Sequence, residues 1–140
     1  MFTSLFGDDI SSRPLVILFP DGDFIAGNKE QQEIVNWCKS LTTYGYTCAC
    51  VNYRQGYDNS IPKEGVNQAI HRAIQDGRAA VRFFMENQEA FRIDTEKIFL
   101  GGNKTGAIVA LNTAFMDEEE LPNFLNTSNL NCLDCSGNLF

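Results

Sequence analysis

Three apolar runs, each followed by turn residues and then by a segment of helical periodicity, constrain this chain more than any other feature. The first is Leu15, Val16, Ile17, Leu18 and Phe19, closed by Pro20, Asp21, Gly22 and Asp23. Nearly every position in it is apolar, which suits a strand covered on both faces. In residues 28–43, Ile34, Val35, Trp37, Cys38 and Leu41 then recur at helical spacing until Gly45 breaks the pattern. A second run, residues 46–53, is β-prone and uncharged. Residues 55–65 read as an excursion loop, and from Val66 the positions Ala69, Ile70, Ala73, Ile74, Gly77, Ala80, Val81 and Phe84 mark a long amphipathic helix. The third run, residues 97–100, ends in Gly101 and Gly102, and a helix carrying Ile108, Val109, Leu111 and Phe115 follows from Lys104 or Thr105. Alternation of strand and helix predicts an α/β fold built from right-handed βαβ units, a parallel three-stranded sheet with helices on both faces. Residues 15–19, the most continuously apolar, belong in its middle.

At 140 residues the chain is one ordinary domain. The predicted organisation is an N-terminal extension over residues 1–12, the α/β domain over 13–116 and an acidic, Asn-rich tail over 117–140. A net charge of -7 disfavours a broad nucleic-acid or anionic-membrane surface, because both recruit Lys and Arg. No apolar run approaches the roughly 20 residues that span a bilayer. Five cysteines, an odd number, make no disulfide framework at this size. The first residues lack a basic and then apolar leader, so the expected compartment is the cytoplasm, with a secreted or periplasmic one as the alternative for a fragment of a longer protein.

The most informative turn runs Ile98, Phe99, Leu100, Gly101, Gly102, Asn103, Lys104, Thr105, Gly106. A strand enters, small residues turn sharply, and a helix leaves: the context of a nucleophile elbow, Gly-x-Ser-x-Gly, which lifts a hydroxyl above a sheet edge. Gly102 and Gly106 hold the glycine places, and Lys104 stands where serine would. Residues 13–27 resemble the strand and oxyanion loop of esterases. Val51, Asn52, Tyr53 and Arg54 resemble the end of their next strand, and Asp76 with residues 79–83 and 93–98 resembles the approach to the elbow. Over residues 13–115 the chain thus resembles the α/β-hydrolase superfamily, in particular carboxylesterases of the hormone-sensitive-lipase or feruloyl-esterase-like kind, in their N-terminal half.

The resemblance implies a serine made nucleophilic by a His that a carboxylate orients, and several of those parts are replaced. Besides Lys104, Pro20 stands where the oxyanion loop would carry His and Asp21 where it would carry its first Gly, with Gly22 and Asp23 completing a degenerate loop. A carboxylate there repels the oxyanion that such a hole stabilises. Thr105 keeps the place of the backbone N–H donor that follows the nucleophile. The single His, His71, falls mid-helix and reads as a surface or half-buried packing residue. Lys104 as an activated amine would need a depressed pKa, which nearby acids oppose. Gly102, Asn103, Lys104 and Thr105 miss the Walker spacing, since Asn103 and Ile98 occupy its glycine places. Cys132 and Cys135 form a lone CxxC, too few ligands for zinc. Glu118, Glu119 and Glu120 read as a solvated acidic run. Neither a metal nor a cofactor is expected.

These residues predict a catalytically inactive, esterase-like protein acting as a binding or assembly component. The alternative is a carboxylic-ester hydrolase fragment whose remaining strands and triad members lie outside this chain. Both outer strands would lack neighbours, so another chain, self-association or a local helix is expected over the open edges. At the elbow, the Lys104 ammonium is predicted to pair with Asp21 or Asp23.

Overall fold

The computed structural model describes residues 2–3, 10–57 and 60–121. The elements are β1 (Phe2–Thr3), β2 (Arg13–Phe19), α1 (Gln32–Thr43), β3 (Thr47–Cys50), α2 (Pro62–Glu86), the short α3 (Gln88–Phe91), β4 (Ile93–Gly102) and α4 (Thr105–Phe115). They form one sheet in the order β1-β3-β2-β4, with β3 and β4 both parallel to β2 and β1 antiparallel to β3. Thus β2 lies between β3 and β4, as its unbroken apolar run requires. Cys132, Cys135 and the rest of 122–140 lie outside the described residues.

Alternation along β2 sorts the helices between the two faces. Leu15, Ile17 and Phe19 pack with Ala69, Ala73 and Ala80 of α2 and with Val109 and Ala110 of α4. Val16 and Leu18 face Ile34 and Cys38 of α1, with Cys48 and Cys50 of β3 beside them. Because β2 is covered on both sides, neither set of alternate positions is polar.

Several boundaries differ from those expected. The helix α2 begins at Pro62, inside the stretch read as a loop, because its first turn is polar and carries no apolar mark; proline is favoured there, having no N–H to leave unbonded. In the same helix His71 is 2% exposed, so it is a core residue rather than a surface or half-buried one. Trp37, counted with the apolar face of α1, is 40% exposed, and Ile34, Cys38 and Thr42 are the buried positions of that helix. Strand β4 starts at Ile93 because Arg13 and Pro14 pair with Ile93 and Asp94 before a register shift restores pairing at Leu15 with Ile98. The acidic run forms a 3₁₀ turn over Glu118–Glu120 with Glu119 and Glu120 exposed, as expected of a solvated run, and Leu121 after it packs onto Ile74.

One edge also differs from expectation. The outer edge of β3 pairs with the chain's own β1, through Phe2 opposite Ala49 and Thr3 opposite Cys48. Among the described residues no strand pairs with the outer edge of β4.

Candidate functional site

Strand β4 and helix α4 meet at a turn whose geometry is set by two glycines. A Cβ on Gly106 would lie 2.1 Å from the Phe19 carbonyl oxygen, and one on Gly102 would lie 2.5 Å from the Gly106 carbonyl carbon. Without side chains at both places, the first turn of α4 can rest directly on the ends of β2 and β4. Between them Lys104 takes φ 45° and ψ -112°. A side-chain-bearing residue held at positive φ costs about 1–3 kcal/mol and persists only where its surroundings enforce it. The turn therefore keeps the strain of an elbow although its tip is lysine.

The loop after β2 crosses to meet this tip. Lys104 Nζ lies 2.8 Å from Asp21 Oδ2; the lysine side chain is 76% exposed and that of the aspartate 16%. The other carboxylate oxygen, Oδ1, accepts 2.8 Å hydrogen bonds from the Thr105 hydroxyl and from the backbone N–H of Gly22. The Gly22 N–H is also 3.1 Å from Thr105 Oγ1. Asp21 is therefore gripped by three donors, two from the elbow and one from its own loop. Asp23, the other candidate partner, contributes only a longer-range field at Lys104.

Electrostatics follow from that grip. The hydrogen bond from Lys104 holds the Asp21 carboxyl well below the usual carboxylate range, with Thr105 and Gly22 adding to it against the opposing effect of burial. In turn, Asp21 raises the Lys104 amine above its ordinary value, and Asp23 and Glu33 act in the same direction. An activated amine requires the opposite shift. Lys104 is a charged, bonded ammonium.

Around the pair, the loop is braced at several points. Tyr53 donates to the Pro20 carbonyl at 3.0 Å and lies 3.4 Å from Thr105 Oγ1. Burial raises the Tyr53 hydroxyl above its usual value, so it stays a neutral donor. Gln31 donates to the Asp21 carbonyl at 2.8 Å and Gln55 to that of Gly27 at 3.1 Å. Asp23 and Phe24 both sit at positive φ, 50° and 59°, while the buried Phe24 ring meets Tyr53 edge-on at 6.0 Å. Gly22 and Gly27 permit the tight return of the loop, since a Cβ on either would fall within 2.3 Å of a loop carbonyl oxygen.

The residues Asn52, Tyr53 and Arg54 prove to be a set of braces. Asn52 Oδ1 accepts from the Lys29 N–H at 2.7 Å, Tyr53 holds Pro20, and the Arg54 Nε donates to Asp76 Oδ1 at 2.9 Å. Asp76 also takes the Arg54 backbone N–H at 2.6 Å, tying the end of β3 to α2. Sequence reasoning marked this string by resemblance alone. It missed the Thr105 side chain and Gln31, which carry no motif of their own.

The other candidates stand apart. His71 lines a cavity of about 190 Å³ with Asn112 and Met116, at the far end of α4 from Lys104. Eleven helical residues separate the two ends by roughly 16 Å. No imidazole is therefore near the elbow, because the sequence contains no second histidine. Cys38, Cys48 and Cys50 are buried free thiols between α1 and β3, and hydrogen bonding to Cys48 pushes Cys38 up to about 12. A thiol held protonated in this way is a poor nucleophile. Among the described residues, no group of three His, Cys, Asp or Glu side chains could hold a metal ion. No helix among them is long and apolar enough to cross a membrane.

The BD-FAE family model matches residues 7–134. The chain belongs to the BD-FAE family. That places it among feruloyl-esterase-like α/β-hydrolases, and the match overlaps the segments on both sides of the 13–116 core. Among curated proteins none matches by sequence. Similar solved structures include a thermophilic esterase from the planctomycete Thermogutta terrifontis. Its propionate-bound form is 19% identical, with a TM-score of 0.69 over 87% of this chain and 42% of that one. Its native form is also 19% identical, with a TM-score of 0.67 over 86% and 40%. This BD-FAE chain therefore spans less than half the length of the esterase whose fold it shares.

Proposed function

We propose that this BD-FAE chain is a non-hydrolytic, esterase-like module that acts as a binding or assembly component. The observation that carries the reading is the 2.8 Å contact between Lys104 and Asp21 at the elbow tip. An ammonium stands at the nucleophile position, and a carboxylate takes the Thr105 hydroxyl and the Gly22 N–H, groups that border the space an oxyanion would need. A missing acid and base would be explained by the short span of the chain against its esterase relative. A missing serine would not.

The test is hydrolysis of a short-chain aryl ester such as p-nitrophenyl acetate. The parent and Lys104→Ala proteins are expected to release nitrophenol at the same background rate. Turnover by the parent well above that of Lys104→Ala would overturn the reading and favour the alternative, a carboxylic-ester hydrolase fragment whose remaining strands and triad members lie outside this chain.

A further inference from the structure

The cavity that His71 lines lies between α2, the last turn of α4 and the 3₁₀ turn that follows. Its apolar wall is a packed cluster of its own. Ile74 is fully buried and touches Leu121, and Ile70 and Met116 pack against the two. Protein interiors leave few voids larger than a water molecule. A space of about 190 Å³ is far larger, with room for roughly six waters at their share of liquid volume. A dry cavity of about 150 Å³ holds benzene, so this one matches a single ring with a short substituent.

The polar side of the cavity is biased towards acceptors. Asn112 spends its Nδ2 on the Ile108 carbonyl one turn back, at 2.8 Å, and keeps Oδ1 as the group it can offer. Glu120 accepts the Asp117 N–H through Oε2 at 2.9 Å, so its own turn holds the carboxylate, and Oε1 remains as an acceptor. Asn67 and the buried His71 complete the lining, which includes no Lys or Arg among the described residues. Arg78, elsewhere on α2, donates to the Met116 carbonyl and is not part of the wall.

We propose that this cavity binds a small organic cation, a single aromatic ring carrying a primary ammonium on a short arm. The ring fits the aliphatic wall, where Met116 adds a sulfur contact of the kind that favours aromatic edges. An ammonium brings three donors and no acceptor, which suits Glu120 Oε1 and Asn112 Oδ1. An aromatic carboxylate, the kind of product an esterase releases, would face Glu120 with no cation in the lining and is rejected. The cavity is therefore no second seat for an ester-derived acid. The proposal goes beyond the reading of the elbow and stands whether or not the elbow is silent.

Methyl-resolved NMR titration of the full chain tests it, with benzylamine as the probe and benzoate and benzyl alcohol as charge controls. Benzylamine is expected to shift the methyl signals of Ile70, Ile74 and Met116 saturably, with half-saturation at about 1 mM. Those of Ile34, on the other face of the sheet, and of the exposed Met85 should stay in place. Benzoate should leave all of them unmoved. Glu120→Gln keeps the shape of an exposed side chain and removes its charge, and is expected to weaken benzylamine about 10-fold. Absence of a saturable shift at Ile70, Ile74 and Met116 would overturn the proposal. Benzoate or benzyl alcohol binding as tightly as benzylamine would overturn it as a cation site, as would a Glu120→Gln protein with the affinity of the parent.

Discussion

Replacing Gly106 by alanine tests whether the elbow geometry is set by contact between the start of α4 and the end of β2. The new Cβ would lie 2.1 Å from the Phe19 carbonyl oxygen, 2.7 Å from its carbon and 2.8 Å from the Pro20 carbonyl oxygen. All three are backbone atoms at the close of the central strand, so no rotamer change relieves them, and α4 must retreat by roughly 1 Å. Forcing a methyl group into a packed site costs about 1–3 kcal/mol, and a backbone obstacle puts this case at the upper end. Gly106 is helical, so alanine recovers about 0.5–1 kcal/mol of chain entropy, leaving a net loss of about 2 kcal/mol. With a urea m-value of about 1–3 kcal/mol/M, the unfolding midpoint falls by roughly 1 M. Gly101→Ala is the control, since its Cβ meets only the flexible end of Leu18 at 3.2 Å. It is expected within about 0.5 kcal/mol of the parent. A Gly106→Ala protein as stable as the parent, or equal losses at the two glycines, would refute the packing argument.

Three further outcomes are expected. Asp76→Ala removes the acceptor of the Arg54 backbone N–H and Nε, and the half-exposed guanidinium can turn to water; the loss is about 1.5–3 kcal/mol by urea unfolding. Ile17→Ala, fully buried on the central strand, costs about 2–5 kcal/mol by the same measurement. Stability against pH carries the signature of the elbow pair. Asp21 is lowered below its ordinary 3.8, so its contribution is complete above that pH and is lost as pH falls through the folded-state value. Lys104 is raised above 10.5, so its contribution is complete below that pH and is lost as pH rises through its folded-state value. Thermal melts of Asp21→Asn should therefore lose part of the parent's decline below about pH 4; identical acid limbs would show that the pair contributes nothing.

The fold was legible wherever burial left a period in the residues. The run from Leu15 to Phe19 is apolar because β2 is covered on both sides, and that alone places it in the middle. Where side chains meet water or the pairing is irregular, no such period exists. The first turn of α2 is polar, and the early part of β4 departs from simple register, so both starts were misplaced. Strand β1 pairs through only two residues, too few to leave any pattern. At the elbow, Gly102 and Gly106 were readable because only glycine permits the close approach they make. The roles of Thr105 and Gln31 were not readable. Each depends on a loop returning across the sheet from far away in sequence, and a hydroxyl or amide carries no mark of its future partner.

The central claim is that an ion pair, not a nucleophile, occupies the elbow. Its most direct test is incubation with a fluorophosphonate activity probe followed by peptide mass spectrometry across residues 97–115. The account predicts no adduct on Lys104 or Thr105, because the first is a bonded ammonium and the second donates its hydroxyl to Asp21 with no imidazole beside it. Stoichiometric labelling of either residue, abolished by its replacement with alanine, would contradict the account.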